Sequence, residues 1–90
     1  MPLPVQLAST GASTCELQEY RMTELVVRFP IPLADTDLVT LLKVLAADPS
    51  LDQATSGDVL ATRMRDGITV KVGSGTFFIR YPVLLPLIAA

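Results

Sequence analysis

The first third of the chain alternates between apolar and polar positions, which predicts β-strands. Leu3, Val5 and Leu7 alternate with a proline and a glutamine, and the proline indicates an edge strand. Residues 9–14 are rich in serine and threonine and predict a loop. The pattern of residues 16–22 fits either a helical turn or the beginning of a strand.

The alternation is clearer after residue 22 and predicts a second strand. Leu25, Val27 and Phe29 share one side, with charged and β-branched residues between them. Pro30 and Pro32 predict the end of this strand, because proline lacks the N–H that a ladder hydrogen bond needs.

The most regular pattern in the chain predicts a helix over Asp35–Ala47. Leucines recur at helical spacing, at positions 38, 41, 42 and 45. Asp35 and Thr36 suit the N-cap, and Pro49 predicts that the helix stops at Asp48. The apolar residues span an arc of roughly 160°, wider than the stripe of a typical surface helix. The helix is followed by a predicted loop over residues 50–58.

The last third of the chain predicts a three-stranded antiparallel meander. A two-residue turn at Ser74-Gly75 would pair Val72 with Phe77 and Val70 with Ile79, which keeps apolar side chains on one face. By the same register Ile68 would pair with Tyr81.

The turn before this hairpin, at residues 65–67, can be built with either of two loop lengths. A two-residue loop at Asp66-Gly67 would place Arg63 and Arg65 on the apolar face. A three-residue loop over 65–67, with Gly67 in the left-handed conformation of a bulge, would place Leu60, Thr62 and Met64 there instead. Burial favours the bulge. A helix over residues 58–65 is a further alternative.

These elements predict an α+β fold in a single domain over residues 1–90. The prediction is a small antiparallel or mixed sheet that ends in the three-stranded meander, with the helix of residues 35–47 packed on one face. Residues 82–90 carry no charge and predict an apolar C-terminal arm.

The composition predicts that the chain self-associates. Hydrophobic residues make up 50% of the 90 positions, and the mean hydropathy is +0.48. A domain of this size buries only about two-thirds of its unfolded surface, so the excess predicts either exposed patches or an interface. We expect a homo-oligomer, with a dimer as the first expectation; the alternative is an arm packed on its own core. The predicted interface residues are Val83, Leu84, Leu85, Leu87 and Ile88.

The charge distribution predicts one basic face. The net charge of −2 argues against broad charge-driven binding to nucleic acid. The bases of the last third gather opposite the apolar face of the meander, around one aromatic residue. This face could meet phosphate oxygens beside a stacking aromatic, or an acidic protein partner with an aromatic anchor. The alternative is an ordinary solvated sheet face. This predicted partner-binding face comprises Arg63, Arg65, Lys71, Phe78 and Arg80.

Candidate catalytic chemistry is sparse. Cys15 and Arg21 match the C-x5-R spacing of a thiolate phosphate cradle, but two glutamates between them would repel phosphate. The Gly73–Gly75 segment resembles a phosphate loop but continues as a strand, which favours a hairpin turn. Since histidine is absent and there is one cysteine, we predict no catalytic residue, no metal site and no cofactor.

The sequence thus predicts a non-catalytic binding, adaptor or inhibitor-type protein that acts through its surfaces. The first alternative is a winged-helix-like nucleic-acid-binding regulator, which requires a helix over 58–65. The second is a lipid-contacting accessory protein that uses the apolar arm. The arm is too short to span a membrane, and a lone cysteine suits a reducing compartment, so we expect a cytoplasmic protein.

Overall fold

The computed structural model describes residues 4–89, which form seven strands and two helices. The elements in chain order are β1 (Val5–Gly11), β2 (Thr14–Arg21), β3 (Glu24–Ile31), α1 (Asp35–Ala47), β4 (Gln53–Ser56), β5 (Val59–Arg63), β6 (Gly67–Val72), β7 (Gly75–Arg80) and α2 (Tyr81–Ile88). The predicted α+β class is confirmed, as is the main helix over residues 35–47.

The strands form two antiparallel sheets. The N-terminal sheet has the order β1-β2-β3 and the C-terminal sheet the order β4-β5-β6-β7. Both are built from hairpins, so each strand pairs with its neighbour in the chain. The inner faces of both sheets, together with the two helices, enclose a core of aliphatic side chains with Phe77 and Cys15.

The N-terminal sheet is longer than the sequence predicts. β1 continues to Gly11, so most of the predicted loop over 9–14 belongs to a hairpin. The ambiguous stretch 16–22 is mostly strand, because Leu17 on β2 faces the core and is fully buried. β3 runs through Pro30, which was predicted to end it.

β4 replaces part of the predicted loop over 50–58. It spans only four residues, Gln53–Ser56, and pairs with β5 across a turn in which Gly57 has a φ of 57°. Its sequence is polar at three of its four positions, so it carries no apolar alternation that would mark a strand. The predicted three-stranded meander therefore has a fourth strand at its edge.

The β6–β7 hairpin has a different register from the predicted one. Val70 pairs with Phe77 and not with Ile79, and the turn residues are Gly73 and Ser74. Gly73 has a φ of 59°, and the first central position of a two-residue hairpin turn favours glycine for this reason. The register differs by two residues, so the same apolar side chains still face the core.

The predicted bulge at Gly67 is wrong. The connection between β5 and β6 is residues 64–66. Gly67 is the first residue of β6, and its φ is not positive. Glycine is needed there because a Cβ would collide with the backbone carbonyl of Ile79. As a result Val59, Ala61 and Arg63 of β5 point inward. They lie on the same face as their β6 partners Val72, Val70 and Ile68.

Most of the predicted C-terminal arm, residues 82–88, belongs to the helix α2, and Ala90 lies outside the described residues. Pro82 lies in its first turn, where the missing N–H costs no hydrogen bond, and Leu84 and Ile88 fall on one side at helical spacing. Both side chains are buried in the core. α2 contacts strands of both sheets, as does α1, so the two helices join the sheets into one unit.

Candidate partner-binding site

Arg63, predicted as a partner-binding residue, is engaged within the fold. Its guanidinium donates hydrogen bonds to the carbonyl oxygens of Leu51 (3.0 Å), Asp48 (2.8 Å) and Leu45. Leu45 and Asp48 lie at the C-terminal end of α1, which has no basic residue in its own last turn. Arg63 therefore supplies a cation to the negative end of the helix dipole. This is a structural role, and its prediction as part of the outer face is wrong.

Arg65 lies apart from the other predicted residues. It is exposed in the connection between β5 and β6, beyond the end of the paired strand. The predicted set is therefore divided among an inward-facing arginine, a turn arginine and three residues on the outer face of the C-terminal sheet.

The remaining three residues, Lys71, Phe78 and Arg80, share that outer face, which we call the Phe78 face. Phe78 on β7 is directly opposite Thr69 on β6, and Arg80 follows two positions along the same strand. Lys71 lies diagonally from Phe78, within reach of a long side chain. Phe78 is 45% exposed, although aromatic side chains usually bury most of their surface.

The Phe78 face borders a small cleft between the two sheets. The cleft has a volume of about 210 Å³, and Tyr20 and Glu19 of β2 lie across it from Phe78 and Arg80. Its other lining residues are Pro4, Val5, Ile79 and Val83. The site thus offers two aromatic rings and an apolar floor beside exposed cations.

Tyr20 is the member of this site that the sequence analysis missed. The β2–β3 register shifts between Glu19 and Tyr20, and Tyr20 pairs with Leu25 beyond that irregularity. Its hydroxyl donates a hydrogen bond of 3.3 Å to Gln18. The extra residue of this irregularity is Val26 on β3, so the alternation along β2 does not reveal it. Only the long-range packing of the sheets places the Tyr20 ring beside Phe78.

Electrostatics make the Phe78 face available to an anion. Within residues 4–89, neither Lys71 nor Arg80 makes a salt bridge, whereas Arg28 on the other sheet lies 3.9 Å from Glu16. Both free cations are exposed. Glu19 is the one acid among the described residues that line the cleft, and Lys71 does not line it.

The predicted interface residues are divided by α2. Val83, Leu84 and Ile88 are buried in the core of their own chain, and Leu87 is half-buried. Leu85 is 55% exposed and points away from the core. Among the described residues of α2, Leu85 is the one large aliphatic side chain that is mostly exposed, and three of the five predicted interface residues are buried within their own chain.

The candidate phosphate cradle has no structural basis. Cys15 and Arg21 lie on the same strand, six residues apart, or about 20 Å in extended chain. Burial raises the pKa of the Cys15 thiol to about 11, with a further contribution from the Asp35 carboxylate. The thiol is therefore protonated at neutral pH and is not a nucleophile there.

The described residues include neither a metal-binding cluster nor a membrane-spanning helix. Residues 4–89 contain no group of three or more acidic, histidine or cysteine side chains placed to hold a metal ion. Neither helix in this range is long and apolar enough to cross a membrane.

The recognition helix of the winged-helix alternative is absent from the structure. Residues 59–63 form β5, in the middle of a four-stranded sheet, and not a helix. Arg63, which that helix would have presented to DNA, donates instead to main-chain carbonyls.

Comparison of the chain with family models, with curated proteins and with solved structures gives no significant match.

Proposed function

We propose that this protein is a non-catalytic binding protein of the adaptor or inhibitor type, and that it works as a self-associating molecule in a reducing compartment such as the cytoplasm. Its partner-binding surface is the Phe78 face with the adjoining cleft. The observation that carries the proposal is the 45% exposure of Phe78 between two cations that make no salt bridge within residues 4–89.

The chemistry of the surface indicates the kind of partner. Aromatic residues, phenylalanine among them, are enriched at the cores of protein interfaces relative to the rest of the surface. The cleft beside it, about 210 Å³, has room for one apolar side chain of a partner. Lys71 and Arg80 flank the ring and favour carboxylates. We therefore infer a partner segment that places an apolar or aromatic residue between acidic ones.

A displayed library of random peptides tests this specificity directly. The wild-type protein should enrich peptides in which an apolar or aromatic residue is flanked by aspartate or glutamate. Phe78→Ser should lose this enrichment, and Lys71→Gln with Arg80→Gln should weaken binding by about tenfold to a hundredfold, as expected for two charged contacts.

A matched control is available in Met64. Its side chain is 46% exposed, almost the same as that of Phe78, but it lies in the turn after β5. Met64→Ser should retain the selected peptides. Equal retention by Phe78→Ser, or the absence of any acidic enrichment in the wild type, would refute the proposed site.

A single-stranded nucleic acid would use the same two features, since cations contact phosphates and an aromatic ring stacks on bases. The overall charge of −2 favours the protein partner. Titration with a labelled homopolymeric RNA at two salt concentrations separates the cases. Tight binding that falls steeply with salt and is lost in Phe78→Ser would replace the protein partner with nucleic acid.

A further inference from the structure

A groove of about 600 Å³ lies where α1, α2 and β1 meet. It shares no lining residue with the cleft beside Phe78. Leu7 of β1 and Leu87 of α2 line it with half-buried aliphatic side chains. Volumes of several hundred Å³ are typical of sites that bind small molecules. The groove is therefore a candidate site for a small ligand, separate from the Phe78 face.

One row of residues on α1 gives the groove a negative, an apolar and a positive position in turn. Asp35, Val39 and Lys43 all line the groove, and they are four residues apart, so they follow one another along one side of the helix. At a rise of about 1.5 Å per residue, the first and the last are about 12 Å apart along the helix axis. Val39, halfway between them, is half-buried.

Both charges of this row are available to a ligand. Within residues 4–89, neither Asp35 nor Lys43 makes a salt bridge. Oδ1 of Asp35 accepts a hydrogen bond of 2.9 Å from the Thr36 N–H, and the second oxygen of the carboxylate accepts none in this range. Lys43 is exposed. An opposite charge at either end of the row must therefore come from a bound molecule.

We propose that this groove binds short free peptides of three or four residues with an apolar middle. The α-ammonium of the peptide lies at Asp35, its terminal carboxylate lies at Lys43, and its central side chains pack on Val39. Since an extended residue spans about 3.3–3.6 Å, three or four residues cover roughly the 12 Å between the two charges. Polar side chains that can hydrogen-bond to the peptide backbone also line the groove: Gln6, Thr36 and Thr40.

The charge pattern favours a free peptide over other occupants. An internal segment of a protein has no terminal charge to place at either end of the row. A single amino acid carries both charges, but they are too close together to reach both Asp35 and Lys43. An uncharged apolar molecule would contact Val39 and leave both charges without a partner.

Isothermal titration calorimetry of the full chain with the peptide Ala-Leu-Leu-Ala tests the site. The N-acetylated peptide and the C-terminal amide should each bind about fivefold more weakly than the free peptide, as expected for the loss of one partly exposed ion pair. Free leucine and the doubled peptide of eight residues should also bind at least about fivefold more weakly, because neither can place a charge at both ends of the row.

Variants of α1 assign each end of the peptide. Lys43→Gln should bind the free peptide and its amide equally, but should still discriminate against the acetylated peptide. Asp35→Asn should lose only the discrimination against acetylation, and asparagine keeps an oxygen for the Thr36 N–H. The matched controls are Asp37→Asn, in the same helical turn but lining a different pocket, and Lys71→Gln on the Phe78 face. Both should discriminate as the wild type does.

Three results would overturn the proposal. They are no binding of the free peptide at about 1 mM, equal binding of the free and blocked peptides by the wild type, and loss of discrimination in the control variants as much as in Asp35→Asn and Lys43→Gln. Because the groove and the cleft beside Phe78 have no lining residue in common, each of these results would leave the proposed function of the Phe78 face intact.

Discussion

At the scale of single residues, one guanidinium joins three parts of the chain. Arg63 extends from β5 to carbonyl oxygens at the end of α1 and in the following loop, and its side chain is half-buried. The Tyr81 hydroxyl lies 3.5 Å from the same guanidinium and donates to the Met64 carbonyl oxygen. Loss of this cation would leave several partly buried acceptors without a donor.

We therefore expect Arg63→Gln to lower the free energy of unfolding by about 2–3 kcal/mol, because hydrogen bonds from a charged group contribute more than neutral ones. Urea denaturation measures the change. The control is Arg65→Gln, an exposed turn position, which should shift the stability by no more than about 0.5 kcal/mol. Equal effects of the two substitutions would contradict the capping role.

Cys15 gives the protein a pH dependence in the alkaline range. Burial raises the thiol pKa from 9.0 to about 11 in the folded chain. Above pH 9 the unfolded chain loses the thiol proton while the folded chain retains it. The stabilising contribution is therefore complete below pH 9 and is lost as the pH rises toward 11.

The expected loss is about 2–3 kcal/mol across that interval, since two pKa units correspond to this free energy. Urea denaturation at pH 8 and pH 11 should show it. Cys15→Ala removes the thiol, so the free energy of unfolding of this variant should fall less between pH 8 and pH 11, by the same amount of about 2–3 kcal/mol. Parallel curves for the two proteins would show that the thiol does not titrate differently in the folded state.

The alternation of side chains along a strand accounts for the part of the binding site that the sequence could predict. Lys71, Phe78 and Arg80 were assigned to the outer face correctly, because a register error of two residues preserves the parity of a strand. Arg63 was assigned to the wrong face, because the length of the β5–β6 turn decides which residues of β5 point inward. Gly67 suggested a left-handed bulge residue, whereas glycine is needed there to avoid a clash with the Ile79 carbonyl.

At the scale of elements, the strength of the sequence signal varies with local burial. The α1 prediction was correct because four leucines at helical spacing all face the core. β4 was missed because it is short, polar and at a sheet edge. α2 was mistaken for an arm because its two prolines suggest extended chain, although a proline in the first turn is compatible with a helix.

The packing of α2 leads to a paired prediction. Leu84 is fully buried and Leu85, its neighbour, is 55% exposed. Leu84→Ala should lower the free energy of unfolding by about 2–5 kcal/mol, the usual cost of a cavity at a buried leucine. Leu85→Ala should cost less than about 0.5 kcal/mol. Similar effects of both on thermal denaturation would mean that α2 does not pack as described.

The close approach of β6 and β7 at Gly67 can be tested in the same way. Gly67→Ala places a Cβ against the Ile79 carbonyl, which is backbone and cannot move independently of its strand. We expect a loss of more than about 2 kcal/mol, as for other overpacked sites. Gly73→Asn is the contrasting substitution, since the space around Gly73 is open and asparagine tolerates positive φ. Its cost should stay below about 1 kcal/mol.

At the scale of the whole molecule, neither sheet has a core of its own. α1 contacts β1 and β2 of one sheet and β4 and β5 of the other, while α2 contacts β1, β6 and β7. Phe29 of β3 and Phe77 of β7 also meet directly, with ring centroids 5.6 Å apart. Most of the apolar surface of each sheet is therefore buried only when the other sheet and the helices are in place.

This shared core predicts that the two sheets unfold together. Leu42 on α1 is fully buried among residues of both sheets. Leu42→Ala should lower the free energy of unfolding by about 2–5 kcal/mol. Because the sheets depend on the same core, amide hydrogen exchange in β2 and in β6 should accelerate by the same factor. Faster exchange in one sheet with unchanged protection in the other would show that the sheets are separate folding units. The control is Val44→Ala on the same helix, which is 47% exposed and should leave exchange in both sheets nearly unchanged.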